Sequence, residues 1–159
     1  MFKQDKLNLV NELKKELQER DVVLVLEHEK LTFASIDAAR RNAAENTKIR
    51  KVKNRLAKIA FKDSNHSHLN TSLNQERILI MSDDLFKACK SAKFLAQNNK
   101  DTIKILQGAS AKEHFDSNTI NHLAQFDSHK ELQSQLLRVI KVVGEKVLRV
   151  INAKFDNEK

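Results

Sequence analysis

The sequence predicts an α+β protein. Its helices pack on a small mixed or antiparallel sheet, as in a ferredoxin-like sandwich, and one long C-terminal helix follows. Three observations carry this reading. Short apolar, β-branched runs alternate with stretches of helical periodicity in the order α-β-α-β-α-β-α-β-α. Hydrophobic residues make up 40% of the 159 positions, enough to fill one core. From Ser128 to Asp156 no turn signal occurs except Gly144, so that segment reads as a single helix. The expected division is an α+β domain over 1–126 and a helical segment over 127–159.

Taken in order, Leu7, Val10, Leu13 and Leu17 recur at helical spacing and predict a helix over Lys3–Gln18. Val22–Leu26 is apolar throughout, a strand buried on both faces. Thr32 or Ser35 caps a helix to about Glu45 with Phe33, Ile36 and Ala39 inward. Thr47–Lys53 reads as a strand, and Asn54 as the cap of a short helix over Leu56, Ile59 and Ala60. Lys62–Asn74 is polar and weakly patterned, a loop or frayed helix. Arg77–Met81 is a second apolar strand, and Asp83 or Asp84 caps a helix through about Asn98. That helix buries Leu85, Phe86, Cys89, Ala92, Phe94 and Leu95. Thr102–Leu106 alternates as a strand, Gly108 marks a turn or bulge, and Lys112–Phe115 forms a short edge. Ser117 caps a helix to about Gln125.

Composition removes several classes of function. The two glycines, Gly108 and Gly144, stand far apart, so no P-loop, dinucleotide fingerprint or nucleophile elbow is present. The longest apolar run, Val22–Leu26, is far short of a membrane span, and Met1–Gln4 leads straight into a charged amphipathic pattern without a visible signal peptide. Cys89 alone excludes an internal disulfide, and its place among apolar helix positions makes it a core residue rather than a nucleophile. Six histidines occur, yet His66 and His68 are the only close pair. Two ligands are too few for a metal site. The expectation is a soluble, reduced, intracellular protein with no cofactor, no metal and no catalytic constellation.

The charge is concentrated. Arg40, Arg41, Lys48, Arg50, Lys51, Lys53, Arg55 and Lys58 face only Glu45 within residues 40–58, so +7 of the net +8 lies there. Such a segment reads either as a polyanion-binding surface or as a solvated basic face with no partner. No aromatic residue falls within it, which suits phosphates held in a folded shape better than a single strand that needs stacking platforms. A membrane surface fits less well, since the segment lacks a large apolar face. The strand before Asn54 ends at a helix N-terminus, where unpaired N–H groups would sit among Lys51, Lys53 and Arg55.

The C-terminal helix has the opposite character. Leu132, Leu136, Ile140, Val143, Val147 and Val150 form one stripe, and Leu137, Val139, Val142, Leu148, Ile151 and Ala153 widen it beyond one face. Its β-branched residues and Gly144 lower its intrinsic helicity, so it needs a cover. Periodicity alone leaves open whether it folds back, pairs with itself as a coiled coil, or meets a foreign partner.

Residues Lys51-Val52-Lys53-Asn54-Arg55-Leu56-Ala57-Lys58-Ile59-Ala60 resemble the signature of the bacterial large-subunit ribosomal protein ten family, the stalk-base proteins. Val22–Leu26 followed by Leu31-Thr32-Phe33 is similar to that family's first strand and turn. Arg40-Arg41 falls where the family has a basic helix, and Leu123-Ala124-Gln125-Phe126 with Glu131-Leu132 looks like its run into the last helix. The resemblance covers essentially the whole chain. Two departures mark a divergent member: Lys30 stands where the family has a turn glycine, and Gln75-Glu76 where it has Gly-Pro.

The resemblance implies a structural component of the large ribosomal subunit, in the cytoplasm or an organelle. Such a protein binds the ribosomal RNA of the GTPase-associated region beside ribosomal protein eleven. Arg40, Arg41, Lys48, Arg50, Lys51, Lys53, Asn54, Arg55 and Lys58 are the RNA-binding candidates. The family's last helix carries dimers of an acidic stalk protein that recruit translation factors. Carried over, this assigns docking to Leu136, Leu137, Ile140, Val143, Val147, Leu148, Val150 and Ile151. Two dimers are expected, on Leu136–Val143 and Val147–Phe155 at either side of Gly144. The alternative is a DNA-binding protein that dimerises through a C-terminal coiled coil. An enzyme on the same scaffold has no supporting motif.

Overall fold

The computed structural model describes residues 3–62, 64, 66–99, 102–110 and 113–157. They form two compact units, Met1–Gln125 and Phe126–Lys159. The first unit is a five-stranded sheet with helices on both faces. Its elements are α1 (Lys3–Glu19), β1 (Val22–His28), α2 (Phe33–Asn42), β2 (Lys48–Lys51) and α3 (Asn54–Lys62). A 3-10 turn (Ser67–Ser72), β3 (Arg77–Ser82), α4 (Leu85–Asn98), β4 (Ile103–Ser110), β5 (His114–Asp116) and α5 (Ser117–Leu123) follow. The second unit holds α6 (His129–Asn157).

The strand order is β2-β3-β1-β4-β5, and every pairing is antiparallel. Successive side chains of a strand point to opposite faces. On β1, Val22, Leu24 and Leu26 enter the cluster shared with α2, α4 and α5, while Val23 and Val25 enter the cluster shared with α1, α3 and the 3-10 turn. Ile78 and Ile80 of β3 divide from Leu79 and Met81 in the same way. These unbroken apolar runs are therefore the inner strands of an antiparallel sheet covered on both sides. Such runs are more usual in parallel sheets.

Helix starts follow local chemistry. The Thr32 side chain accepts from the Ser35 N–H, and Asp84 Oδ1 accepts from the Phe86 N–H at 2.9 Å. Asn54 is the first residue of α3 rather than its cap, and its amide donates to the Gln75 carbonyl. Ser117 likewise opens α5, with Asp116 preceding it. The second helix ends at Asn42, short of the expected Glu45, and of the expected Lys112–Phe115 edge Lys112 lies outside the described residues.

Three packing expectations are corrected. Phe33 is 89% exposed rather than inward, because Leu31 packs against the core just before the helix begins. Ile59 is also exposed, and α3 buries Ala57, Ala60 and Phe61 in its place. Of the turn-or-bulge reading of Gly108 the turn is corrected: it lies inside β4 opposite Leu24 and Phe115. A Cβ there would meet Leu24 Cδ2 at 2.2 Å, so the missing side chain leaves room for the Leu24 side chain from the neighbouring strand. The register shift falls nearby, between Val25 and Leu26.

Lys30 has φ 49°, so the turn after β1 keeps the left-handed backbone that glycine adopts most readily, with a lysine in place.

Candidate nucleic-acid interface

The basic segment forms one outer edge of the sheet. β2 is an edge strand, α2 reaches it where Arg40 Nε donates to the Ile49 carbonyl at 3.1 Å, and α3 begins just beyond it. All nine candidate residues therefore belong to one border of the first unit, although they come from three elements.

Their electrostatic states differ. Arg40 and Arg41 share Asp37, one turn back on α2, at 3.9 and 3.2 Å. Lys48 meets Glu16 at 2.8 Å, and Arg50 meets Glu16 at 3.3 Å and Glu12 at 3.5 Å, so both tie β2 to α1. Glu16 is buried, and these two cations are what balances it. Lys51 holds Glu76 at 2.9 Å, and that hydrogen bond keeps the Glu76 carboxyl below its ordinary range. By contrast, Lys53, Arg55 and Lys58 are exposed and show no carboxylate partner among the described residues; Lys58 reaches only the Asn74 amide oxygen at 3.5 Å. Available positive charge thus gathers at the β2–α3 corner.

That corner borders a groove of about 590 Å³, between Lys51–Asn54 on one side and Asn74–Arg77 on the other. The second wall comes from the end of the polar stretch and the first residue of β3, and nothing local in the sequence brings it opposite Lys51–Asn54. Behind it, His28 is buried 3.6 Å from Glu76, and burial holds its pKa below the ordinary value, with Lys51 adding to the effect.

The other titratable groups stay structural. Burial pushes the Cys89 thiol up to about 12, with Asp84 adding to the effect, which leaves it a core residue. His114 comes to 3.7 Å from His68, ring centre to ring centre, and His66 lies 6.4 Å from His68. Among the described residues no group of three or more His, Cys, Asp or Glu is placed to hold a metal ion, and no helix is long and apolar enough to cross a membrane.

Within the second unit, α6 runs unbroken through Gly144 for 29 residues, about 44 Å at 1.5 Å per residue. At about 100° per residue, Arg138, Lys141, Glu145 and Arg149 share one charged stripe. The apolar candidates Leu136, Leu137, Ile140, Val143, Val147, Leu148, Val150 and Ile151 cover roughly half the circumference. All eight are exposed, and nothing lies within 4 Å of where a Cβ on Gly144 would stand. The side chain of Phe155, in the second expected docking segment, lies outside the described residues.

The chain is thus a layered α+β unit with a basic sheet edge, joined in sequence to a helix with exposed apolar surface. Comparison with known proteins gives the particular family. The family model described as Ribosomal protein L10 matches residues 1–100. The chain is 29% identical to the large ribosomal subunit protein uL10 of Aliarcobacter butzleri over 140 residues, which is 87% of this chain and 85% of that one. It is 30% identical to the uL10 of Xanthobacter autotrophicus over 151 residues, 94% and 87% of the two chains. With the uL10 of Pelagibacter ubique the identity is 23% over 157 residues, 98% and 94% of the chains. The chain belongs to the ribosomal protein L10 family and is a divergent, large-subunit ribosomal protein.

Proposed function

We propose that this protein is a scaffold at the base of the ribosomal stalk. In this reading the first unit, taken as residues 1–126, binds large-subunit ribosomal RNA of the GTPase-associated region, next to ribosomal protein eleven. Helix α6, within residues 127–159, carries two dimers of an acidic stalk protein. The observation that carries the proposal is the helix. A 29-residue helix with half its circumference apolar and exposed is more surface than water tolerates in a lone element, and its charged residues are mostly basic. A partner with apolar grooves and acidic flanks complements both. A coiled-coil seam uses a narrower stripe of two positions in seven, so the width of this one favours docking over self-pairing.

On the RNA side, Lys53, Arg55 and Lys58 are the cations with charge to give, while Lys48 and Arg50 support the edge from within. Held at one point, flexible stalk arms raise the local concentration of translation factors without adding any interaction of their own. The test is sedimentation of the tagged protein from cell lysate on a sucrose gradient, with mass spectrometry of what travels with it. The expected result is migration with the large subunit, together with an acidic protein that stays bound through a high-salt wash. A ribosome-free fraction holding a stable homodimer would overturn the reading in favour of the DNA-binding alternative.

A further inference from the structure

We propose that Phe33 is a stacking platform for an unpaired base of the RNA held at the basic edge; the inference rests on the RNA-binding reading above. At 89% exposure it is the most exposed large apolar side chain among the described residues. Beside the turn it is Leu31, partly buried, that packs against the core. The other Phe side chains that the structure describes are placed differently: Phe61, Phe86 and Phe115 are buried, and Phe94 and Phe126 are half-buried.

Its surroundings select the ligand. Phe33, Asp37 and Arg40 follow one another at spacings of four and three and so share a stripe of α2, with Arg41 beside it. Arg40 is anchored on the β2 carbonyl of Ile49, which joins this stripe to the basic edge. Arg41 extends outward with its side chain 80% exposed, and Lys30 is exposed on the turn just before the helix. Asp37 opposes the two arginines, and Glu29 and Glu76 line a surface pocket with Lys30, so the positive excess beside Phe33 rests on Arg40 and Arg41. An apolar ring set in a net positive surface fits a ligand with flat apolar faces strung on an anionic backbone. Bases stack on aromatic rings whatever their sequence, and their phosphates meet the arginines and lysine. A protein partner would need a continuous apolar patch of a few hundred Å², whereas the neighbours of Phe33 on the outward face of α2 are Ala34, Asp37, Ala38 and the arginines.

The chain has no Trp and no Tyr, so Phe33→Trp creates a protein with a single indole. The probe is an in vitro transcript of the GTPase-associated region of large-subunit ribosomal RNA, titrated against the full chain at several salt concentrations. Stacking predicts that Phe33→Ala and Phe33→Leu each weaken binding by about tenfold without changing the salt slope, since every cation that meets a phosphate is still in place. It also predicts that Phe33→Trp binds as tightly as the unaltered protein and that its fluorescence is quenched on binding. If the unaltered chain binds with a steep salt slope but Phe33→Ala is neutral and Phe33→Trp stays unquenched, the platform is wrong and the RNA reading stands. Weakening in Phe33→Ala with full retention in Phe33→Leu would show that an apolar side chain suffices without a ring, and would overturn stacking. An unaltered chain that does not bind the transcript would overturn the RNA reading and the platform together.

Discussion

The two units spend similar apolar chemistry in opposite ways. In the first, Val22–Leu26 and Ile78–Met81 are hidden on both faces, because helices from elsewhere in the same chain cover the sheet. In the second, an equally apolar and equally β-branched set on α6 stays in water. Residue type does not separate them; the availability of a covering element does. A strand that finds cover within its own chain becomes core, and a helix that finds none there keeps its apolar face exposed. The same contrast divides the basic edge, where Lys48 and Arg50 pair with carboxylates of α1 while Lys53 and Arg55 are exposed with no carboxylate partner among the described residues.

The contrast is broken most severely by placing charge on the exposed stripe. Ile140→Asp with Val147→Asp should weaken binding of an acidic stalk-protein dimer at least about 100-fold, as removing central apolar anchors does in other interfaces. Affinity for the RNA transcript should stay within about twofold, read by calorimetry and filter binding. Equal loss of both activities would show that the two units do not act as separate modules.

Within the basic edge, Lys48→Ala with Arg50→Ala leaves the buried Glu16 carboxylate unbalanced. It should lower unfolding free energy by about 1–3 kcal/mol in denaturant titrations. Lys53→Ala, Arg55→Ala and Lys58→Ala together should leave stability within about 0.5 kcal/mol, as surface changes do. They should instead reduce the salt slope of RNA binding by about 0.7–0.9 for each phosphate no longer neutralised. An unchanged slope would move the RNA site off this corner.

A milder test uses the histidines of the packed unit. Burial lowers the pKa of both His28 and His66 from 6.5 in the folded state. The unfolded chain therefore takes up protons first. Stability should be whole above about pH 6.5 and fall as pH drops through the folded values. His66→Gln should flatten the decline of the denaturant midpoint between about pH 7 and 5, and an unaltered decline would exclude His66 as a source.

The smallest effect is expected at Lys30. Replacing it with glycine relieves the left-handed backbone and raises unfolding free energy by about 0.5–1 kcal/mol, after allowing for the greater entropy glycine loses. A drop in thermal midpoint would mean that the lysine side chain does more than tolerate the turn.

Much of this molecule was legible in local chemistry. The apolar run of β1 announces burial on both faces and that of β3 a further apolar strand, Thr32 or Ser35 and Asp83 or Asp84 announce helix starts of which the structure uses Thr32 and Asp84, and the density of cations between Arg40 and Lys58 announces a basic surface. These are properties of neighbouring residues, so the sequence by itself determines them. Only the tertiary structure decided which cations are available. Glu16 lies 32 positions before Lys48, and Glu76 lies 25 positions after Lys51, so the neutralising partners arrive through space. The same holds for Gly108, whose role is defined by Leu24 across the sheet, and for Phe33, displaced from the core by Leu31. Coulomb and packing energies depend on distance, and distance between remote residues is set when the chain folds.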